Sequence, residues 1–253
     1  MTISARQWDE YIRQMRKVND TAAESVRKYI VRHGIPTTRD EAGALIRYAY
    51  SVSTTLGEAA AALAAEMYDA IALASAAQVP PAAPAATPTM NEVAKTVVGT
   101  MKTGNEEIIS AAVGRLVKQT GVDTTMQNAL RDGAEWAWIP RGDTCPFCIM
   151  LASNGWQRAS RKAIKNGHAE HIHANCDCTY AVRFDSFSRV AGYDPDKYDE
   201  MFSGAEGRTW EDKLNSMRRE AYAKNSEEIN AQKRSAYEKR KERESSAAEE
   251  IDA

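Results

Sequence analysis

The chain has 253 residues, with 33 Lys and Arg against 35 Asp and Glu and a formal net charge of -2. That balance excludes a chain-wide basic surface for nucleic acid, and the length admits one large domain or two small ones. Alanine is plentiful and aromatic residues make up 8%, a composition that leans helical.

In chain order, Trp8, Tyr11, Ile12, Met15 and Val18 recur at three- and four-residue steps, and Val26, Tyr29 and Ile30 resume the stripe. This predicts a helix that ends at His33-Gly34-Ile35-Pro36, where Gly caps and Pro stops it. Trp8 to Tyr11 stand where a signal peptide would need an apolar run. Thr38 or Asp40 opens the next helix, with Leu45, Ile46, Tyr48, Ala49 and Val52 on one face and Leu56, Leu63, Met67 and Ile71 continuing it. Its weakly polar stretch 59–77 contains Glu66 and Asp69, so neither a membrane span nor a membrane partner is expected. VPPAAPAATP, residues 79–88, carries four prolines in ten residues and predicts an extended connector.

A short helix is expected over 91–100, and Asn105 caps a firmer one from Glu106 to about Lys118. Gly121 is expected to interrupt it, and Asp123 or Thr124 to open another helix toward Arg131. Trp136 and Trp138 alternate around Ala137, and Tyr180, Val182 and Phe184 alternate after Cys178. Both stretches predict short strands, paired as a hairpin or small sheet. From Gly207 the chain is highly charged, with Trp210, Leu214, Met217 and Tyr222 as a sparse apolar stripe.

All four cysteines and three of the four histidines lie between Cys145 and Cys178. Cys145 and Cys148 form C-x-x-C, Cys176 and Cys178 form C-x-C, and His173 stands three residues before Cys176. Thiolates and imidazoles are the donors a closed tetrahedral zinc site uses. Five candidates exceed four places: Cys145, Cys148 and His173 with Cys176 or Cys178, or all four cysteines. His168 and His171 are read as surface groups or as groups outside the metal shell. Such a clip closes a loop of about thirty residues, and its binding energy becomes local folding energy. A redox C-x-x-C normally needs a βαβ context that is not evident here, disulfides suit an oxidising compartment, and catalytic zinc needs an open position and a carboxylate base. Arg158, Arg161, Lys162 and Lys165 are spaced to line one helix face and are candidates for phosphate or partner contact. Trp136 and Trp138 could stack bases, but they read first as core.

The segment from about Gln127 to Phe184 resembles the C-terminal domain of Mu F-like phage minor head proteins, the head morphogenesis family. The resemblance is carried by Arg131, Trp136, Asp143-Thr144-Cys145-Pro146-Phe147-Cys148 and His173-Ala174-Asn175-Cys176-Asp177-Cys178. Ala174 stands where the family commonly has proline, and Asp177 where arginine is common. The expected fold is mainly α with a small α+β zinc-stabilised domain. It divides into a helical module over 1–78, a Pro/Ala-rich linker over 79–90, and a Mu F-like domain with the metal cluster over 91–200. That domain has a short two- or three-stranded sheet around the metal site. A charged helical or partly disordered tail follows over 201–253.

The resemblance implies a structural minor capsid protein and no enzymatic turnover. Its partners would be portal or capsid proteins, with non-specific DNA contact during packaging or ejection. It would reside in the host cytoplasm during assembly and then in the virion head interior or at the portal vertex. The rival readings are a zinc-containing DNA-binding protein and a metal-dependent hydrolase or toxin.

Overall fold

The computed structural model describes residues 3–141, 144–162, 178–231, 233–235, 237–238 and 241. Helix α1 spans Ala5–His33 and α2 spans Arg39–Ala74. Ser4 with Gln7, and Thr38 with Glu41, close reciprocal capping boxes at their N-termini, which satisfies amide groups left over by the helix. Gly34 ends α1 at φ 80°. Helix α3 covers Met90–Met101 and α4 covers Glu106–Asp132, capped by Asn105.

The expected break at Gly121 does not occur, because α4 runs through it. A Cβ at Gly121 would stand 2.9 Å from Met15 Cε and 3.3 Å from the Ala60 carbonyl oxygen. The glycine is therefore a point of close approach by α1 and α2, and that packing outweighs its poor helix propensity.

Strands β1 (Glu135–Ile139), β2 (Gln157–Arg158) and β3 (Thr179–Arg183) form an antiparallel sheet in the order β2-β1-β3. Trp136 faces Val182 and Trp138 faces Tyr180 across the ladder. Between β1 and β2 lies α5 (Pro146–Ser153); α6 (Pro195–Ser203) and α7 (Trp210–Lys224) follow β3. The segment 226–231 is also helical.

One apolar cluster joins Trp8, Tyr11, Met15, Tyr68, Val117 and Met126 to Trp136, Trp138 and Tyr180. A second fills the other end of the helices with Val26, Ile30, Leu45, Val97, Ile109 and Val113. Both clusters draw on residues before and after the expected linker at 79–90. That segment is extended, as its prolines require, and it is strapped to the helices. The Ala82 N–H donates to Asp69, the Ala83 N–H to Asn128 Oδ1 (2.9 Å), and the Ala85 N–H to Thr124 Oγ1 (2.9 Å). Arg131 closes the strap by donating to the carbonyls of Pro80 (2.9 Å) and Pro81 (3.1 Å).

Arg131 also pairs with Asp132, whose side chain is 3% exposed and accepts from the Tyr68 hydroxyl at 2.8 Å. The guanidinium holds the Asp132 carboxyl below its ordinary range, against the opposing effect of burial. Burial, reinforced by Asp132, raises the Tyr68 phenol. A depressed folded pKa means that the contribution of Asp132 is present above its unfolded value near pH 4 and is lost as pH falls through the folded value. Arg131→Ala is expected to cost about 2 kcal/mol, because two carbonyls lose their donor and a buried carboxylate keeps only the Tyr68 hydroxyl. Urea denaturation at pH 7 checks this, and the loss should shrink toward pH 3.

Helix α2 ends in a second local constraint. Ala77 N–H reaches back to the Ala72 carbonyl (2.9 Å) and Ala76 N–H to that of Leu73 (3.1 Å), the Schellman pattern. Ala76 takes the left-handed position at φ 53°. Left-handed strain costs about 1–2 kcal/mol, offset in part by the lower backbone entropy that alanine loses on folding. Ala76→Gly should therefore raise stability by about 0.5–1 kcal/mol, read as a higher Tm.

Candidate functional site

Cys145 is the N-cap of α5, with extended backbone (φ -66°, ψ 155°) and Pro146 in the first turn behind it. Proline suits that turn, because its missing N–H would find no partner inside the helix. Cys148 follows three residues later, so the two cysteines lie one turn apart. Cys145 is exposed and Cys148 is buried. Cys178, also buried, directly precedes β3. The first residue of β3, Thr179, pairs with Ile139, the last of β1, and the chain leaves β1 toward Cys145. The two ends of the cysteine motif thus enter at the same edge of the sheet. No disulfide joins Cys145, Cys148 and Cys178.

Their surroundings are aromatic and tight. Trp136 and Trp138 are buried and pack against Tyr180, with ring centroids 5.4 and 4.5 Å away; they are core, not an exposed stacking platform. The Tyr11 hydroxyl is hydrogen-bonded by Thr179 and Thr125, and burial pushes its pKa up to about 12. Helix α6, absent from the sequence reading, packs on α5. The Tyr193 hydroxyl, just before α6, donates to the Ala152 carbonyl at 2.9 Å. Tyr198 of α6 stacks on Tyr193 and has its phenol raised by burial and by Cys178. The signal for this lid was present as Tyr193, the N-cap Asp194 and Pro195, a helix start that the sequence reading passed over.

Among the described residues, no group of three or more His, Cys, Asp or Glu side chains is gathered so as to hold a metal ion. His173 and Cys176 lie outside the described residues, as do Asp143, His168 and His171. The described part of the site supplies thiols at Cys145, Cys148 and Cys178, a donor chemistry that suits zinc. Those three thiols are not gathered as one metal-holding group, and the other candidate donors, His173 and Cys176, lie outside the described residues.

The basic residues do not share one helix face. Arg158 lies in β2, opposite Glu135, while Arg161 and Lys162 are helical; all three are exposed. Strand β2 hydrogen-bonds to β1, and its continuation Ala159 N–H donates to the Ala134 carbonyl at 2.8 Å. That pairing takes Arg158 out of the expected helix. Lys165 lies outside the described residues. Arg141 is engaged at 2.7 Å by Asp9 of α1.

The family described as VG15 protein matches residues 2–205. The chain belongs to the VG15 protein family. No curated protein and no solved structure matches it. The VG15 match spans both the helices α1–α4 and the cysteine region, whereas the Mu F-like resemblance rests on 127–184 alone. Membership in VG15 does not reach the finer head-morphogenesis assignment. No described helix of this VG15 chain is long and apolar enough to cross a membrane.

Exposure sets the order of thiol reactivity. With chelator present, Cys145 should be alkylated at least about tenfold faster than Cys148 and Cys178, since burial blocks access to the latter two. Peptide mapping of a timed iodoacetamide reaction reads the order. Equal rates would mean that the α5–β3 packing opens readily.

Proposed function

We propose that this VG15 chain is a phage-encoded structural protein that works by binding rather than turnover, as a minor component of the head at the portal or inner capsid. The observation that supports it is the arrival of both halves of the cysteine motif at one edge of the β1–β3 pair. Cys145 and Cys148 open α5, and Cys178 opens β3. Zinc bound there would supply a cross-link between the start of α5 and the start of β3. Cys145 and Cys148 would hold it together with His173 and one of Cys176 or Cys178, or with both of those cysteines. In this reading the metal holds a surface in place, and α1–α4 and the charged region beyond Gly207 contact other head proteins. The exposed apolar side chains Trp210 and Tyr222 of that region suit such contacts.

A second reading, contact with nucleic-acid phosphates, is favoured by the exposure of Arg158, Arg161 and Lys162. It would show as affinity that falls steeply with salt.

Metal analysis of protein purified without added metal or chelator tests the clip. About one zinc per chain is expected, as for closed four-ligand sites. Cys148→Ser should release it and lower the melting temperature. Unchanged metal content and stability would remove the structural-zinc reading. Co-purification of the full chain with co-expressed portal and coat proteins tests the head assignment separately, and no retention of either would reject it.

A further inference from the structure

Cys145 and Cys148 carry a second chemistry besides metal binding. The sequence alone shows no strand-and-helix setting for a redox C-x-x-C, but the structure supplies a strand, a turn and a helix. Strand β1 leads into α5, α5 packs on β1, and the two cysteines stand in the first turn of that helix. Cys145 is the N-cap and Cys148 the third helical residue.

These positions suit a bond between the two sulfurs. With a rise of about 1.5 Å per residue on a cylinder of about 2.3 Å radius, Cα atoms three residues apart on a helix are about 5 Å from each other. A disulfide spans Cα separations of about 4.4–6.8 Å. Cys145 has extended backbone (φ -66°, ψ 155°), and an N-cap side chain in that conformation is directed across the first turn, toward the second and third helical residues. The third is Cys148. Pro146, between them, fixes this entry to the helix. Exposure then divides the roles. Cys145 is exposed, whereas Cys148 is buried in the cluster that holds Trp138, Leu151 and Tyr180. A reagent in solution therefore reaches Cys145 first. Cys178 is also buried, and the three thiols are not gathered as one group, so the pair one turn apart is the unit that can close.

We infer that Cys145 and Cys148 are a reversible dithiol–disulfide couple, with Cys145 the attacking thiol and Cys148 the resolving one. The Cys145 thiolate attacks a small-molecule disulfide such as oxidised glutathione, forming a mixed disulfide and releasing one glutathione thiolate. The Cys148 thiolate then attacks Cys145 Sγ and releases the second. Two protein thiols are oxidised, one disulfide is reduced, and the two cysteine protons end on the two glutathione thiols. Reducing compartments keep the pair open and oxidising ones close it. Closure links neighbours within one helical turn, so its effect is chemical rather than mechanical. Zinc takes thiolates, and closure withdraws two of them from the proposed metal site; that consequence alone rests on the zinc reading.

The full chain, dialysed against chelator, is mixed with oxidised glutathione, acid-quenched at timed intervals, alkylated and mapped by mass spectrometry. Glutathione is expected on Cys145 first, at least about tenfold ahead of Cys148 and Cys178. A Cys145–Cys148 disulfide should follow, and reduced glutathione should reopen it. Cys148→Ser should stop at the Cys145 mixed disulfide, and the exposed-site variant Cys145→Ser should leave Cys148 as a thiol. If Cys148→Ser does not fold, rapid-quench capture of the mixed disulfide in the unaltered chain reads the same step. First reaction at Cys148 or Cys178, closure of Cys145 onto Cys176 or Cys178, or persistence of both thiols overturns the inference. Unfolding on chelation also overturns it, because the metal-free pair would then lack its helix. Zinc content is read on untreated protein. Zinc without closure removes this inference and leaves the clip, and closure without zinc does the reverse.

Discussion

Residues 79–90 need their backbone hydrogen bonds satisfied by something other than themselves, and α4 provides it. A proline-rich segment cannot build a helix or a ladder of its own, and unpaired amides against a protein surface are costly. Thr124, Asn128 and Arg131 stand on successive turns of α4. Asn128 accepts from the Ala83 N–H and donates to the Ala83 carbonyl, as a neighbouring strand would. Because the strap is fixed to α4, the end of α2 and the start of α3 are fixed with it. Tyr68 and Asp132 then tie α2 directly to the C-terminus of α4, from which β1 departs. The position of the sheet, and of the cysteines at its edge, follows from that chain of contacts.

Much of the helical part was legible because its signals are local. Ser4, Thr38 and Asn105 are N-caps, Gly34 and Gly133 are C-caps, and each needs only its near neighbours to act. Gly121 was misread because its reason is not local: the place occupied by Met15, more than a hundred residues earlier in the chain, decides it. The same holds for β2. Two residues have no periodicity of their own, and they become a strand because β1 offers a free edge. Arg158 consequently left the helix assigned to it. Arg131 was picked out as part of a motif, but nothing in the sequence indicated that it would bind the carbonyls of Pro80 and Pro81.

The cysteine motif was legible as a spacing and less so in arrangement. The C-x-x-C spacing reads directly from Cys145-Pro146-Phe147-Cys148 but the helix α5 that it opens does not, and the entry of Cys178 into a strand reads from the alternation after it. The aromatic lid did not read, since Tyr193 and Tyr198 act on α5 and Cys178 only after the chain has doubled back through α6. The lid bears on how the site is stabilised. Cys148, Leu151 and Ala152 are buried beneath it together with Trp138 and Tyr180, so α5 has an apolar anchor of its own. A metal clip here would act on an element already held by packing. That differs from the minimal zinc modules in which the ion replaces a core.

Exposed apolar side chains occur at both ends of the molecule, Val31, Leu73 and Val98 of the helices among them. Tyr29 and Tyr48 stack at 4.6 Å where α1 and α2 lie side by side, which is a contact internal to the helices. Beyond the sheet, Phe187, Met201, Trp210 and Tyr222 are left in water, in a part of the chain otherwise rich in charge. Scattered apolar residues are normal on a protein surface. Phe187 stands apart because Asp185 spends three hydrogen bonds on holding the turn that displays it. A side chain exposed by loop mobility would show no such support. Exposure alone therefore does not mark a contact surface, and Phe187 is set off by the hydrogen-bonded turn that fixes it rather than by its region of the chain.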